Sequence, residues 1–507
     1  MANEPWNGEP LDTVLQANLT RLREVFDACP DLIIREFLLP DGRRGGVLYV
    51  NGLIDVDRLD RDLLHPLVAA PPRPPQWEHG MPAPGLPLPG GQLLGRMGEV
   101  VQKILDGVVV LLLDGETAAQ AFGIPGGKAR NITEPVTERS LRGPKEGFVE
   151  DLQTNLSLLR RIIKTPRLKV EEGLAGRLTR TNIALVYIQG LVRPGVLDEV
   201  RSRLGRIQID GVLDSGYLEE FIEDHPYSLF PQILDTQRPD VVAAHLLEGR
   251  FAILCAGSPN ALLAPIQLWS FLQSVEDYYE RYLISSLLRI LRFSFAAVSV
   301  LLPALYVSVI AFHHELIPTA LVMTVARARE GVPFPAVVEA LLMEVAFEAL
   351  REAGIRLPAS IGPTVSIVGA LIIGEAAVRA GIVSAPAVII VSTTGIASFV
   401  IPRIGAVNAV RMLRFLMLLF AGAFGLYGIT IMSLFVLIHL ASMRSFGAPY
   451  LSPWTTLRLW EWLDLFIRAP RWIERRRITV AAAGGPLRQG PHLKPGRASD
   501  RDGNKQD

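Results

Sequence analysis

Two long apolar runs without a charged residue constrain this chain more than any other feature. They are Phe293 to Phe312, FSFAAVSVLLPALYVSVIAF, and Phe415 to Ile438, FLMLLFAGAFGLYGITIMSLFVLI. About 20 such residues, wound as a helix, cross the hydrocarbon core of a bilayer. No uncharged run of that length occurs before residue 290. The 507 residues exceed one domain at roughly 100–200 residues each. A mean hydropathy of +0.30 beside 20% charged residues fits neither a wholly soluble chain nor a bare transporter. The expected fold class is an α/β cytoplasmic amino-terminal region followed by an all-α polytopic membrane domain with re-entrant or interfacial helices.

Charge and cysteine content narrow the function. The 51 basic and 51 acidic groups cancel, which argues against a general nucleic-acid binder. Cys29 and Cys255 form no Cys-x-x-Cys motif, so neither a disulfide framework nor a zinc site is expected. Met1 to Pro10 is polar, with Glu4 and Glu9, and lacks the basic start and apolar run of a secretory signal. The region before the first span is therefore expected to stay cytoplasmic.

Two shorter membrane candidates lie between the long runs, Pro363 to Ala380 and Pro386 to Ile401, joined by the uncharged Gly381 to Ala385. Leu316 to Leu357 is apolar but interrupted by Arg327, Arg329, Glu330, Pro333 and Pro335, and reads as two half-buried helices joined at Gly331 to Pro335. Its second half places Glu344, Glu348 and Glu352 on one helical stripe, as in an interfacial amphipathic helix. Arg281, Arg289 and Arg292 precede the first span; Arg444 and Arg475 to Arg477 follow the last. The positive-inside rule then puts both ends in the cytoplasm and requires an even number of crossings, expected to be four. That count leaves Arg403, Arg411 and Arg414 outside. A fifth crossing near Pro335 to Leu350 would bring them in but expel the basic tail.

The expected domains are a soluble subdomain at 1–68, a Pro/Gly-rich linker at 69–91, an α/β domain at 92–290, a membrane domain at 291–443, a cytoplasmic segment at 444–483 and a disordered tail at 484–507. In the α/β part, strand-type runs (Val108–Leu113, Ile183–Gln189, Arg206–Ile209, Phe251–Cys255) alternate with helical ones (Gly147–Ile163, Gly195–Leu204, Leu262–Leu272), which predicts one sheet.

Motifs for chemistry are sparse. Gly123 to Arg130, GIPGGKAR, lacks both the spacing and the hydroxyl of a phosphate loop and reads as a turn. His313, His314 and Glu315 are adjacent and cannot share a helical face as ligands. With no nucleophile elbow and no His-Glu-x-x-His, neither an enzyme, a metal site nor a cofactor is expected. The third apolar region says more. Gly362, Ser366, Ala370 and Gly374 make a small-residue ridge for close helix packing. Val368, Ile372, Glu375 and Arg379 form a separate stripe. A charge inside a span costs about 2.5–3.5 kcal/mol on insertion scales, so Glu375 should face protein or water. It is either half of an anchoring pair with Arg379 or part of an ion path. The stripe Glu344, Glu348, Glu352 is likewise a solvated face or, repeated around an oligomer, a negative vestibule.

Four blocks, NITEPVTERSLRGPKEGFVEDLQTNLSLLRRII (131–163), QSVEDYYERY (273–282), GVPFPAVVEALLMEVAFEALREAGIRLP (331–358) and SIVGALIIGEAAVRAGIVS (366–384), resemble the A-subunit family of bacterial spore germinant receptors. The resemblance spans roughly residues 95 to 455. It implies a cytoplasmic two-part amino-terminal region and a membrane domain. It also implies a transporter-like B subunit and a lipoprotein C subunit as partners in the inner spore membrane. A homo-oligomer, expected as a pentamer, would then release cations when nutrient is sensed, with the 363–380 helix as the pore-lining candidate. On that helix the shared face of Val368, Ile372 and Glu375 is the side expected to line the pore. The insertion at 69–91 and the Arg-rich tail after Trp472 depart from the family pattern. A paralogous A-like channel component associated with dipicolinate release shares the blocks, and gene context would separate the two. A membrane-anchored signalling adaptor needs no Glu375 in a span, and a secondary transporter is disfavoured because no repeated half is visible.

Overall fold

The computed structural model describes residues 4–69, 91–126, 134–135, 138–357, 374–455, 462, 464–477 and 487–490. It has two compact units. The first comprises Met1–Glu223, Ile233–Pro265 and Glu474–Asp507; the second comprises Asp224–Gln232 and Ile266–Ile473. Most of the expected linker and most of the expected tail lie outside the described residues.

Among the described residues the first unit holds two five-stranded sheets, not one. Strands β1 (Leu32–Leu38), β2 (Arg44–Val50), β3 (Gln92–Leu94), β4 (Val109–Leu113) and β5 (Ala119–Phe122) assemble in the order β1-β2-β4-β5-β3. Strands β6 (Leu168–Ala175), β7 (Thr181–Ile188), β8 (Leu234–Thr236), β9 (Phe251–Cys255) and β10 (Ala261–Ala264) assemble as β6-β7-β9-β10-β8. The order is the same in both, and every pair is antiparallel. The sequence carries the duplication. VLYVNGL (Val47–Leu53) and LVYIQGL (Leu185–Leu191) hold the second strand of each sheet, and Leu105-Asp106-Gly107 and Leu247-Glu248-Gly249 precede the fourth. Gly107 (φ 77) and Gly249 (φ 83) end the preceding helices in the left-handed region that favours glycine.

The duplication corrects three expectations. The Pro-rich stretch at 69–91 does not separate domains, because β3 beyond it completes the sheet that β1 and β2 begin. Leu262–Leu272 is not one α-helix: its first residues belong to β10, and only Leu268–Phe271 makes a short 3-10 turn, since a short apolar run carries no period that separates strand from helix. Arg206–Ile209 is no strand; its Ile209 carbonyl accepts only a loop bond from the Arg177 N–H. Each sheet is buried where alternation demands. In β2, Leu48 and Val50 pack with Leu15, Leu19 and Leu22 of the Leu15–Val25 helix, while Val47 and Tyr49 pack with Leu59 and Leu63 on the other face. Asp31, just before β1, accepts two hydrogen bonds from Arg160 of the Leu152–Ile162 helix, at 2.5 and 2.9 Å, with both side chains 2% exposed. That buried pair ties the two halves of this unit together.

The second unit is built of apolar helices. Tyr282–Ala311 starts eleven residues before the first apolar run, and its opening turns are inside-out. Leu283 and Leu287 are exposed, while Arg289 and Arg292 are buried on Asp277, with Arg289 also on Asp464. Thr319–Arg329 and Ala336–Arg356 follow, joined through the expected Gly331–Pro335 stretch, and then comes the short Ala385–Phe399.

Ile404–Ser442 is not one straight rod. Thirty-nine straight helical residues would span about 58 Å. At Gly425 the backbone leaves the helix (φ 62, ψ −140). A Cβ on Gly428 would overlap the carbonyl oxygen of Phe420, and Ile429 rejoins the cluster of Leu413, Met417 and Ala421. Both ends return to one segment: Gly405 lies against Pro231, and His439 and Met443 against Ser228. The chain therefore reverses at Gly425, and the expected single span Phe415–Ile438 is the tip of a helical hairpin. The motif FAGAFGLYG, with three glycines in close succession, permits that reversal.

The neighbouring helices are ordered by their contacts. Going outward along 404–425, Arg411 meets Glu348, Arg414 meets both Glu344 and Ser299, Gly422 meets Val337, and Gly425 meets Phe312 and His313. Ile404–Phe424 thus runs parallel to Tyr282–Ala311 and antiparallel to Ala336–Arg356. Ala385–Phe399 runs parallel to Ala336–Arg356, through Ser384 on Glu339, Gly395 on Phe347 and Phe399 beneath Arg351.

Candidate functional site

Arg414 stands ten residues after Ile404 and eleven before Gly425, about 15 Å along the helix from either end. Its Nη1 lies 2.9 Å from a Glu344 carboxylate oxygen, and both side chains are 3% exposed. Its Nε donates to the Ser299 carbonyl at 2.7 Å. The reason for that bond is in the sequence. The Ser299 carbonyl should accept from the backbone N–H at position 303, but Pro303 has none. Arg414 supplies the missing donor. One turn away, Arg411 binds Glu348 and also donates to Asn408 at 2.6 Å. Glu344 Oε1 and Arg414 Nη2 have no hydrogen-bond partner among the described residues. Burial of such a pair is costly, and removal of one member leaves a charge in an apolar surrounding.

A second buried carboxylate, Glu339, is fully enclosed. It accepts the N–H of Ser384 and lies 3.3 Å from Arg329 Nε. Ser384 in turn caps the Ala385–Phe399 helix by accepting from the Ala387 N–H. Glu339 thereby places a negative charge at that helix's amino-terminal end, where the helix dipole favours it.

The expected residues fall as follows. Of the acidic stripe, Glu344 and Glu348 are engaged by arginines of the 404–424 helix, and Glu352 is half-exposed and paired with Arg356 at 2.7 Å. The stripe is therefore not a free row of three negative charges in a single chain. Glu375 pairs with Arg379 at 2.5 Å, and both are exposed. Gly374 is buried, with open contact to Val388. Val368, Ile372, Gly362, Ser366 and Ala370 lie outside the described residues. Sequence reasoning missed Arg414, Arg411, Ser299, Pro303 and Glu339. The available signal was a pair of arginines three residues apart, directly ahead of an apolar run, and a proline inside another.

In the α/β unit, burial first and then the carboxylates Glu223, Asp235, Glu220 and Asp214 push the Glu219 carboxyl up to about 8. Burial, followed by Asp214, raises the Cys255 thiol to about 11, which keeps it inert.

An α/β unit with two antiparallel sheets is joined in one chain to apolar helices, two of which are long and apolar enough to cross a membrane. Residues 20–480 match the family model described as Bacillus/Clostridium GerA spore germination protein. Spore germination protein KA of Bacillus subtilis (strain 168) is 43% identical over 96% of this chain and 90% of its own length. YfkQ of the same organism, named an uncharacterized membrane protein, is 46% identical over 94% of this chain and 93% of its own. The solved N-terminal domain of the A subunit of the Bacillus megaterium spore germinant receptor GerK3 is 30% identical, covering 51% of this chain and 97% of that domain at a TM-score of 0.40. The chain belongs to the GerA family of spore germination proteins.

Proposed function

We propose that this chain is the A subunit of a spore nutrient-germinant receptor, and that its helical unit, repeated around a homo-oligomer of five copies, forms a gated cation path in the inner spore membrane. The observation that carries the receptor reading is the 43% identity to spore germination protein KA over nearly the full length of both chains. The partners are a transporter-like B subunit and a lipoprotein C subunit, with lipid around the helices. Val368, Ile372 and Glu375 line the path, and Gly362, Ser366, Ala370 and Gly374 pack the helix that carries them.

The helix directions support six passes rather than four. Five are Tyr282–Ala311, Ala336–Arg356, Ala385–Phe399 and the two arms of the Gly425 hairpin; the sixth is the expected span Pro363 to Ala380, most of which lies outside the described residues. It is counted because Arg356 and Gly381, which lies against Gly331, stand at opposite ends of Ala336–Arg356. Six is even, so both termini share a side. Arg281, Arg289, Arg292, Arg356, Arg403, Arg411 and Arg444 then gather at that same side, which the positive-inside rule makes cytoplasmic. The two extra passes bring Arg403 to the cytoplasmic side, where a four-pass count leaves it outside, while Arg327, Arg329 and Arg379 stand at the other end. Glu352, near that end, remains the vestibule carboxylate. Cation efflux from vesicles holding the purified oligomer tests the reading: flux that rises when Ile372 is shortened supports it, and assembled protein that never conducts refutes it.

A further inference from the structure

We propose that Pro303 is a hinge in the Tyr282–Ala311 helix and that Arg414 is the clamp that holds it, so that opening requires Arg414 to leave Glu344 and the Ser299 carbonyl. The proposal rests on the gated-path reading above. Proline removes one rung from the helix ladder, and its ring presses on the carbonyl four residues back, which makes position 299 the natural bending point. In an apolar surrounding, a carbonyl left without a donor is expensive, so a proline is tolerated there only where another group satisfies it. Ser299 is fully buried, and the donor is a side chain from another helix, 2.7 Å away.

That donor's charge is held by a third helix, through Glu344 at 2.9 Å. One guanidinium therefore fixes three helices at mid-height: the broken ladder of 282–311, the carboxylate of 336–356 and the arm 404–424. The lock is incomplete. Glu344 Oε1 and Arg414 Nη2 are both buried without a partner among the described residues. A half-satisfied pair loses less on exchanging its protein partners for water than a fully satisfied one. Such a pair can have two states. The Arg411–Glu348 pair bridges only two of these helices and adds nothing to the hinge. Arg414 is thus a positioning residue, acting through the backbone of its neighbour.

The test uses the full-length oligomer in vesicles loaded with potassium, together with its melting temperature in detergent. E344M with R414M removes both charges but leaves the Ser299 carbonyl without a donor. This pair is expected to melt lower and to leak at least tenfold faster than the wild type. Adding P303A restores an N–H at position 303, so it should recover most of the melting temperature and close the leak. In the wild-type background, P303A should raise the melting temperature far less, since Arg414 already serves the carbonyl. R414K, which keeps the charge, should leak less than the double variant. Additive melting shifts, with P303A acting alike in both backgrounds, would overturn the clamp whatever the flux. A clear coupling in melting with no leak in any variant, Ile372→Ala included, would instead overturn the gated path while leaving the clamp's geometry standing.

Discussion

Gly428 lies against the carbonyl of Phe420, eight residues earlier in the chain, where a straight helix would hold them about 12 Å apart. This contact turns one long apolar helix into two arms, and the count of passes depends on it. If the proposed six passes hold, with Ile404–Phe424 leading across and the arm after Gly425 leading back, Ile404 and Tyr427 face opposite sides of the membrane. Ile404→Cys is expected to react with an impermeant maleimide only from the amino-terminal side of sealed vesicles, and Tyr427→Cys only from the other. Labelling of both from one side would return the chain to four passes.

The same turn has an energetic signature. Gly425 has a positive φ, and a Cβ there would lie 2.8 Å from His313 Cε1. Gly425→Ala combines a strained backbone, about 1–3 kcal/mol, with that overlap. Urea unfolding in detergent should show a loss of at least this size, while Gly490→Ala, open on all sides, should show none.

Asp31 and Arg160 offer a comparable test in the α/β unit. Arg160→Met leaves a buried carboxylate without its cation and is expected to cost about 3–5 kcal/mol. The double variant with Asp31→Leu should recover much of that loss, because neither charge is then stranded. Equal destabilisation in single and double variants, read by urea unfolding, would mean that packing rather than charge explains the effect.

How much of this was legible beforehand varies by element. The apolar runs, the joint at Gly331–Pro335 and strand β9 follow from composition and spacing alone. The two sheets do not, because hydropathy periodicity reads one segment at a time. Matching VLYVNGL with LVYIQGL would have exposed the duplication. The Gly425 reversal hid inside an uninterrupted apolar run, since hydropathy counts glycine without regard to its φ. From sequence alone Arg411 and Arg414 stand as loop arginines that a four-span count leaves outside, because a sequence does not reveal that Glu348 and Glu344 wait on another helix.

Glu219 makes the α/β unit sensitive to pH. Its carboxyl ionises near 8 in the fold and near its ordinary value of 4.5 when unfolded. The unfolded chain therefore releases this proton first. The stabilisation is complete below about pH 4.5 and is lost as pH rises towards 8. Melting temperatures of the full chain taken between pH 5 and 8 should fall more steeply for the wild type than for Glu219→Gln. Parallel curves would show that the crowded carboxylates are relieved by some other means.

Only Glu352 of the acidic stripe is half-exposed, with a cation beside it on its own helix. Glu352→Gln is expected to lower conductance at low salt and leave it unchanged at high salt, where ions screen its field. Glu344→Gln should instead lower the yield of assembled protein, because it strands Arg414. Salt-independent conductance in Glu352→Gln would make this residue an ordinary solvated side chain.

The gated cation path is tested most directly by potassium efflux from vesicles containing the purified Ile372→Ala oligomer, measured beside the wild type at equal assembly. If Ile372 closes a dry constriction, shortening it admits water, and efflux should proceed without any nutrient while wild-type vesicles stay sealed. An Ile372→Ala oligomer that assembles normally and holds its potassium as well as the wild type would contradict the account.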